Sequence, residues 1–190
     1  MLEHRTPLAQ VSRAQELSTI EAPGLRVVAV QTRGFLLVQG NPEDSLLQKA
    51  LREQIGVGVP GPQLASIGSE YALLWMAPGQ WLLESPAARA STVQAALVAR
   101  GGAALAAVTD LSDALACFEV SGEAAADALM TDCTLDLQPH AFAVGRVART
   151  AVAAVAVILW KPGDDPRQFR CLVDRSFAEH FWSWLAQAPR

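Results

Sequence analysis

From Leu25 onward the chain repeats one hydrophobic pattern four times: two short apolar runs separated by a polar turn, followed by a stripe with helical spacing. In the first repeat Arg26 to Val30 and Phe35 to Val38 flank a turn at Thr32 to Gly34, and Asn41-Pro42 opens the helix. Asn can accept a hydrogen bond from a free first-turn amide, and Pro supplies the helical φ. Leu47, Ala50, Leu51 and Ile55 then fall on one face. In the second repeat Tyr71 to Met76 and Trp81 to Leu83 flank the turn Ala77-Pro78-Gly79-Gln80. Ser85-Pro86 opens its helix, with Val93, Ala96 and Leu97 on the buried side. The third repeat has Ala104 to Val108, a polar turn at Thr109 to Asp113, and Ala116 to Val120, with Ser121 as the expected cap of a helix Gly122 to Met130. The fourth has a long run from Val147 to Trp160, a turn at Pro162 to Pro166, a return along Phe169 to Val173, and Asp174 as the cap of a last helix. On that helix Phe177, Phe181, Trp184 and Leu185 share one side, Ser176, Glu179, His180 and Ser183 the other, and Trp182 lies at the edge of the stripe.

Helices that follow strand pairs imply a mainly antiparallel sheet with helices on one face. The expected class is therefore α+β, four ββα units forming two ferredoxin-like halves. Gly56 to Ser69, with Gly56, Gly58, Pro60, Gly61 and Pro62, breaks both periodicities and reads as a linker. Residues 1–23 show neither periodicity and read as an extended arm, and 24–190 as a single α+β domain with halves at about 24–100 and 101–190.

The chain has 190 residues, 51% of them hydrophobic and 18% charged, which is enough for a core without disulfides. A net charge of −4 without any Lys/Arg run argues against nucleic acid as a partner. The apolar run from Ala151 to Trp160 is about half of the ~20 residues a membrane span needs, so no membrane partner is expected. Cys117, Cys133 and Cys171 are odd in number, far apart in sequence and outside any C-x-x-C pair. They read as core residues of a cytoplasmic protein.

Catalytic candidates are few. The histidines are His4 in the arm, His140 in a loop and His180 on a polar helix face. Cys133, Asp136 and His140 can be drawn as a constellation, but they match no nucleophile motif. Asp110 and Asp113 flank Ser112, and Asp132 and Asp136 follow the third helix. Either pair has the composition of an acid/base couple, and either has the composition of a turn whose aspartates hold backbone amides. Gly56-Val57-Gly58 lacks the Lys-Ser/Thr of a phosphate loop, and no His/Cys/Asp/Glu spacing suits a metal. The reading assigns no catalytic, cofactor-binding or metal residue. Trp182 and Trp184, two positions apart on one helix, cannot both point inward, which makes Trp182 a candidate interface anchor. Arg5 and Leu8 of the arm are the other interface candidates.

Several segments together resemble the gamma subunit of heterotetrameric sarcosine oxidase. They are His4-Arg5-Thr6-Pro7-Leu8, Trp75-Met76-Ala77-Pro78-Gly79-Gln80-Trp81-Leu82-Leu83, Thr109-Asp110-Leu111-Ser112, Cys133-Thr134-Leu135-Asp136-Leu137, Arg149-Thr150, and Asp174-Arg175-Ser176-Phe177-Ala178 with Trp182, Trp184 and Leu185. Gln80 and Thr6 depart from the family pattern, which has Asp or Glu and Ser there. The Asp-Leu-Ser turn, the strand and helix after it, and Gly145 to Thr150 are also similar to the folate-binding domain of glycine-cleavage aminomethyltransferases. The resemblance implies a non-catalytic chain in a four-subunit complex with alpha, beta and delta partners. Such a complex oxidises sarcosine to glycine, passes the methyl carbon to tetrahydrofolate or releases formaldehyde, and reduces oxygen to peroxide. FAD, FMN, NAD and tetrahydrofolate would belong to the partner chains. Three alternatives remain open: a paralogous complex for another N-methylated amino acid, a stand-alone folate-binding one-carbon transfer protein, and a free-standing oligomer joined through Trp182.

Overall fold

The computed structural model describes residues 19–101, 105–163 and 167–187. It divides the chain into two compact units, and each has a sheet with helices on one face.

Unit 2 comprises Thr32–Asp113 with Gly145–Val147. Its elements are β3 (Arg33–Gly40), α1 (Ser45–Ile55), β4 (Ala65–Ile67), β5 (Ala72–Ala77), β6 (Gln80–Pro86), α2 (Ala90–Gly101) and β7 (Leu105–Asp110), in the sheet order β4-β5-β6-β3-β7. Without β4 this is a βαββαβ unit with every neighbouring pair antiparallel, the ferredoxin-like arrangement. Leu47, Ala50, Leu51 and Ile55 of α1 and Val93 and Leu97 of α2 pack on Leu36, Val38, Leu73, Trp81 and Leu83 of the sheet. Alternation sends Phe35, Leu74, Leu82 and Glu84 to the opposite face, and these too are buried. Residues 145–147 extend the β4 edge: the Ala65 N–H donates to the Gly145 carbonyl (2.7 Å) and the Val147 N–H to the Gln63 carbonyl (2.9 Å).

Of the described residues, unit 1 takes 19–31, Ala114–Val144, 148–163 and 167–187. Its elements are β1 (Thr19–Ala22), β2 (Leu25–Val30), β8 (Leu115–Ser121), α3 (Ala125–Met130), β9 (Val147–Val152), β10 (Val155–Gly163), β11 (Gln168–Asp174) and α4 (Ala178–Leu185), in the sheet order β1-β2-β8-β11-β10-β9. The core joins Val27, Phe118, Val120, Val157, Leu159, Phe169 and Cys171 of the sheet to Leu129 of α3 and Phe181, Trp182 and Leu185 of α4.

The two units superpose in logic, strand for strand. Phe35 faces Glu84 across β3 and β6 as Cys117 faces Leu172 across β8 and β11, and Val38 faces Val108 as Val120 faces Val27. Both middle hairpins carry a bulge beginning at a tryptophan, Trp75 in β5 and Trp160 in β10. After β6 and β11 comes the same 3-10 turn, Ala87–Arg89 and Arg175–Phe177. The Ala87 N–H donates to the Thr32 carbonyl and the Arg175 N–H to the Ala114 carbonyl, each at 2.9 Å. The strand playing the β7 part in unit 1 is β2, from the start of the chain. Each half of the sequence thus lends its first strand to the other half's sheet.

This exchange explains where the sequence expectation and the structure part. The α+β class and the ferredoxin-like, mainly antiparallel sheets are as expected. The first and third strand pairs, however, are not hairpins, since β2 and β3 enter different sheets, as do β7 and β8. Two apolar runs joined by a short polar link look alike whether the chain folds back or crosses over. For the same reason the compact units are interleaved along the chain, whereas the expected halves, 24–100 and 101–190, were consecutive. The end of the expected arm, Thr19–Ala22, is strand β1, paired with β2, and residues 1–18 lie outside the described residues. The linker holds the short strand β4, and the run from Val147 to Trp160 turns at Ala153-Ala154, both at positive φ (54° and 60°) as a tight hairpin turn requires.

Two caps also differ. The side chain accepting the first-turn amide of α1 is Asp44 (Leu46 N–H, 2.8 Å), while Asn41 accepts from Glu43. Ser121 does not cap α3, because its hydroxyl reaches back to the Arg26 carbonyl (3.4 Å). The Ala124 amide donates instead to the Gly24 carbonyl in the β1–β2 turn (2.9 Å). Gly122 makes that approach possible: its φ is +110°, and a Cβ there would lie 2.2 Å from the Gly24 oxygen.

Candidate functional site

Asp110, Asp132, Asp136 and Asp174, four of the aspartates singled out in the sequence, accept hydrogen bonds from backbone amides or side chains. Asp110 Oδ1 accepts the Ser112 N–H (2.8 Å) and hydroxyl (2.6 Å), and the Ser112 hydroxyl oxygen accepts the Phe35 N–H (3.0 Å). Asp174 repeats this on Ser176 with the same two distances, 2.8 and 2.6 Å. The Ser176 hydroxyl, and then its amide, hold the Asp174 carboxyl below the ordinary aspartate value. Asp136 Oδ1 accepts the Gln138 N–H (2.9 Å), and Asp132 Oδ2 accepts the Trp184 indole N–H (2.9 Å). Asp136 and Asp132 therefore serve different elements.

The Cys133, Asp136 and His140 constellation separates. His140 Nε2 lies 3.1 Å from Asp136 Oδ2 in a surface pair with side chains 76% and 51% exposed. Cys133 is buried, with the Thr150 hydroxyl 3.9 Å from its sulfur. The other two cysteines are buried as well, and burial pushes the Cys171 thiol far above the usual range, so neither is set up as a thiolate nucleophile. Among the described residues no group of three His, Cys, Asp or Glu is placed to hold a metal ion, and no helix is long and apolar enough to cross a membrane.

Sequence reasoning missed the buried charges. Glu84, fully buried in β6, accepts the Arg33 Nε–H at 2.6 Å, and Arg33 also donates to the Glu70 carbonyl (2.9 Å). Glu70 in turn pairs with Arg89 (2.6 Å), whose guanidinium is held above its ordinary value by the Tyr71 hydroxyl and by Glu70. In unit 1, Arg170 lies 3.5 Å from Glu119 and 5.9 Å from the Trp160 ring, and the buried Lys161 ammonium sits 5.8 Å from the Phe169 ring. Glu84 and Lys161 fall at the ends of apolar runs, where a linear reading ends the strand. The usable signal was that a central strand covered on both faces buries its polar positions too.

Of the interface candidates, Trp182 is corrected. It is 3% exposed and packs 6.0 Å from Phe118 within the unit 1 core, leaving no ring face for a partner. The 3-10 turn before α4 shifts the apolar stripe, so the aromatic side chain at the surface of this element is Phe177, 49% exposed, while Trp184 is half-buried on Phe181 at 5.7 Å. Arg5 and Leu8 lie outside the described residues.

Two ferredoxin-like units with exchanged strands, and aspartates and arginines engaged in turns and ion pairs, define an α+β scaffold. The aminomethyltransferase T of the glycine cleavage system from Bartonella henselae superposes with a TM-score of 0.67 over 95% of this chain and 56% of that one, at 13% identity, a likeness of fold alone. The chain belongs to the sarcosine oxidase gamma subunit family, whose model matches residues 39–190. Sarcosine oxidase subunit gamma from Corynebacterium sp. (strain U-96) is 34% identical over 97% of this chain and 89% of its own length. The subunit from Arthrobacter sp. is 33% identical over the same shares. Among solved structures, a chain of the heterotetrameric sarcosine oxidase from Corynebacterium sp. U-96, in complex with pyrrole 2-carboxylate, matches with a TM-score of 0.80 and 31% identity over 97% of this chain and 93% of that one.

Proposed function

We propose that this chain is the non-catalytic gamma subunit of a cytoplasmic heterotetrameric sarcosine oxidase, packed with alpha, beta and delta chains that carry FAD, FMN, NAD and the tetrahydrofolate site. The observation that carries the reading is end-to-end correspondence: the match to the U-96 gamma subunit runs over 97% of this chain and 89% of that relative. The geometry supports a packing role, because Asp110 and Asp174 serve as turn acceptors and the cysteines are buried. In such an assembly the methyl carbon of sarcosine is oxidised on a partner's flavin, and the choice among N-methylated amino acids is made in a partner chain.

Co-expression with and without the three partner chains tests this. The expected result is a four-chain particle with flavin absorbance and sarcosine-dependent oxygen uptake, and no turnover by this chain alone. A three-chain particle equally stable and active without it would overturn the reading. So would heat of tetrahydrofolate binding to the isolated chain, which would favour the one-carbon transfer alternative.

A further inference from the structure

We propose that Met130 is a peroxide-modification site whose oxidation is read out by the loop that follows α3. Met130 is half-buried at the end of that helix, and its sulfur accepts the backbone N–H of Leu137 at 3.3 Å. Leu137 is fully buried in the unit 1 core, so its amide has no water to turn to. The same loop is tied down on either side, by Gln138 Nε2 donating to Asp127 (2.8 Å) and by the Trp184 indole donating to Asp132 (2.9 Å). Methionine thioethers undergo two-electron oxidation, and here the sulfur of a partly buried side chain is also a structural acceptor. Hydrogen peroxide gives one oxygen atom to the sulfur: the O–O bond breaks, an S–O bond forms, the thioether becomes a sulfoxide and the peroxide leaves as water. The oxidised sulfur carries positive character and no longer accepts the Leu137 N–H. The new oxygen accepts it only if the loop moves. The origin of the peroxide, an oxidase partner, rests on the function proposed above. The chemistry does not, because the test supplies the oxidant.

The full chain in a Met76→Leu background, which leaves Met130 as the methionine among the described residues, is treated with hydrogen peroxide and followed by peptide mass mapping and amide exchange. The expected result is one added oxygen at Met130, exchange at Leu137 faster by about tenfold, and reversal by methionine sulfoxide reductase. Met130→Leu should show the fast Leu137 exchange before treatment and no change after it. Slow Leu137 exchange at full Met130 oxidation overturns the proposal. In the unsubstituted chain, a Met130 that stays reduced while Met76 is fully oxidised overturns it as well.

Discussion

Units 1 and 2 share a framework but place their charges in opposite registers. Arg33 and Leu115 open the equivalent strands β3 and β8, and Glu84 and Leu172 hold the same position in β6 and β11. Where unit 2 has an ion pair, unit 1 therefore has two leucines. The reverse holds four residues along β3 and two along β6: Glu119 and Arg170 of unit 1 occupy the positions of Leu37 and Leu82, which face each other across β3 and β6. A third exchange concerns the aromatics. Trp75 faces Trp81 in unit 2, while in unit 1 the equivalent Phe169 takes the Lys161 ammonium beside its ring. The backbone plan tolerates either chemistry at each position, provided the pair is complete. A lone charge left behind would cost more than either complete solution.

That comparison can be broken most severely at Gly122, where only unit 1 brings a helix start against a carbonyl from the first hairpin. Gly122→Ala places a Cβ 2.2 Å from the Gly24 oxygen at a φ of +110°. It should cost about 3 kcal/mol, a fall in Tm of about 10 °C, with unit 1 amides losing protection in hydrogen exchange before those of unit 2. A normal melting curve would mean that the β1–β2 turn does not anchor α3.

The ion-pair exchange gives the next effect in size. Glu84→Ala removes the carboxylate that accepts the Arg33 Nε–H and should cost about 3 kcal/mol, reduced somewhat because Arg33 keeps the Glu70 carbonyl and some water. Converting the pair to the unit 1 solution, Arg33→Leu with Glu84→Leu, should return to within about 1 kcal/mol of the original in denaturant unfolding. A double variant no better than the single one would show that the two registers are not interchangeable.

Smallest is the turn at Asp174. Because Ser176 lowers its carboxyl pKa, this aspartate contributes stability above the unfolded value of about 3.9, and the contribution is lost as pH falls through the lower folded value. Asp174→Asn should therefore lower Tm slightly at neutrality and converge with the original chain in acid, which flattens the acid limb of the Tm profile below about pH 4. An acid limb as steep as the original would assign the sensitivity to another carboxylate.

Much of this was legible in the sequence because local rules acted alone. The α1 stripe, Leu47, Ala50, Leu51 and Ile55, is the buried face of the helix, and Asp174 caps the turn before α4 as its spacing implies. The rest depended on long-range pairing. No local signal distinguishes β2 pairing with β8 from β2 turning back on β3, and Ser121 has the composition of a cap while its hydroxyl bonds across to β2. Trp182 was misjudged because a 3-10 turn rotates α4 relative to an ideal stripe. Glu84 and Lys161 were passed over because their burial comes from strands distant in sequence.

The exchanged strands also set a timetable for synthesis. β2, with Val27, Val28 and Val30, leaves the ribosome early, but its partner β8 begins only at Leu115. At a translation rate of 5–20 residues per second the first hairpin waits about ten seconds beside an absent neighbour. During that interval β3 to β6 are made, and β7 follows only just before β8, so the nascent chain carries an open strand edge on β2 throughout. An edge of that kind is where a chaperone, or a wrong strand, would bind first.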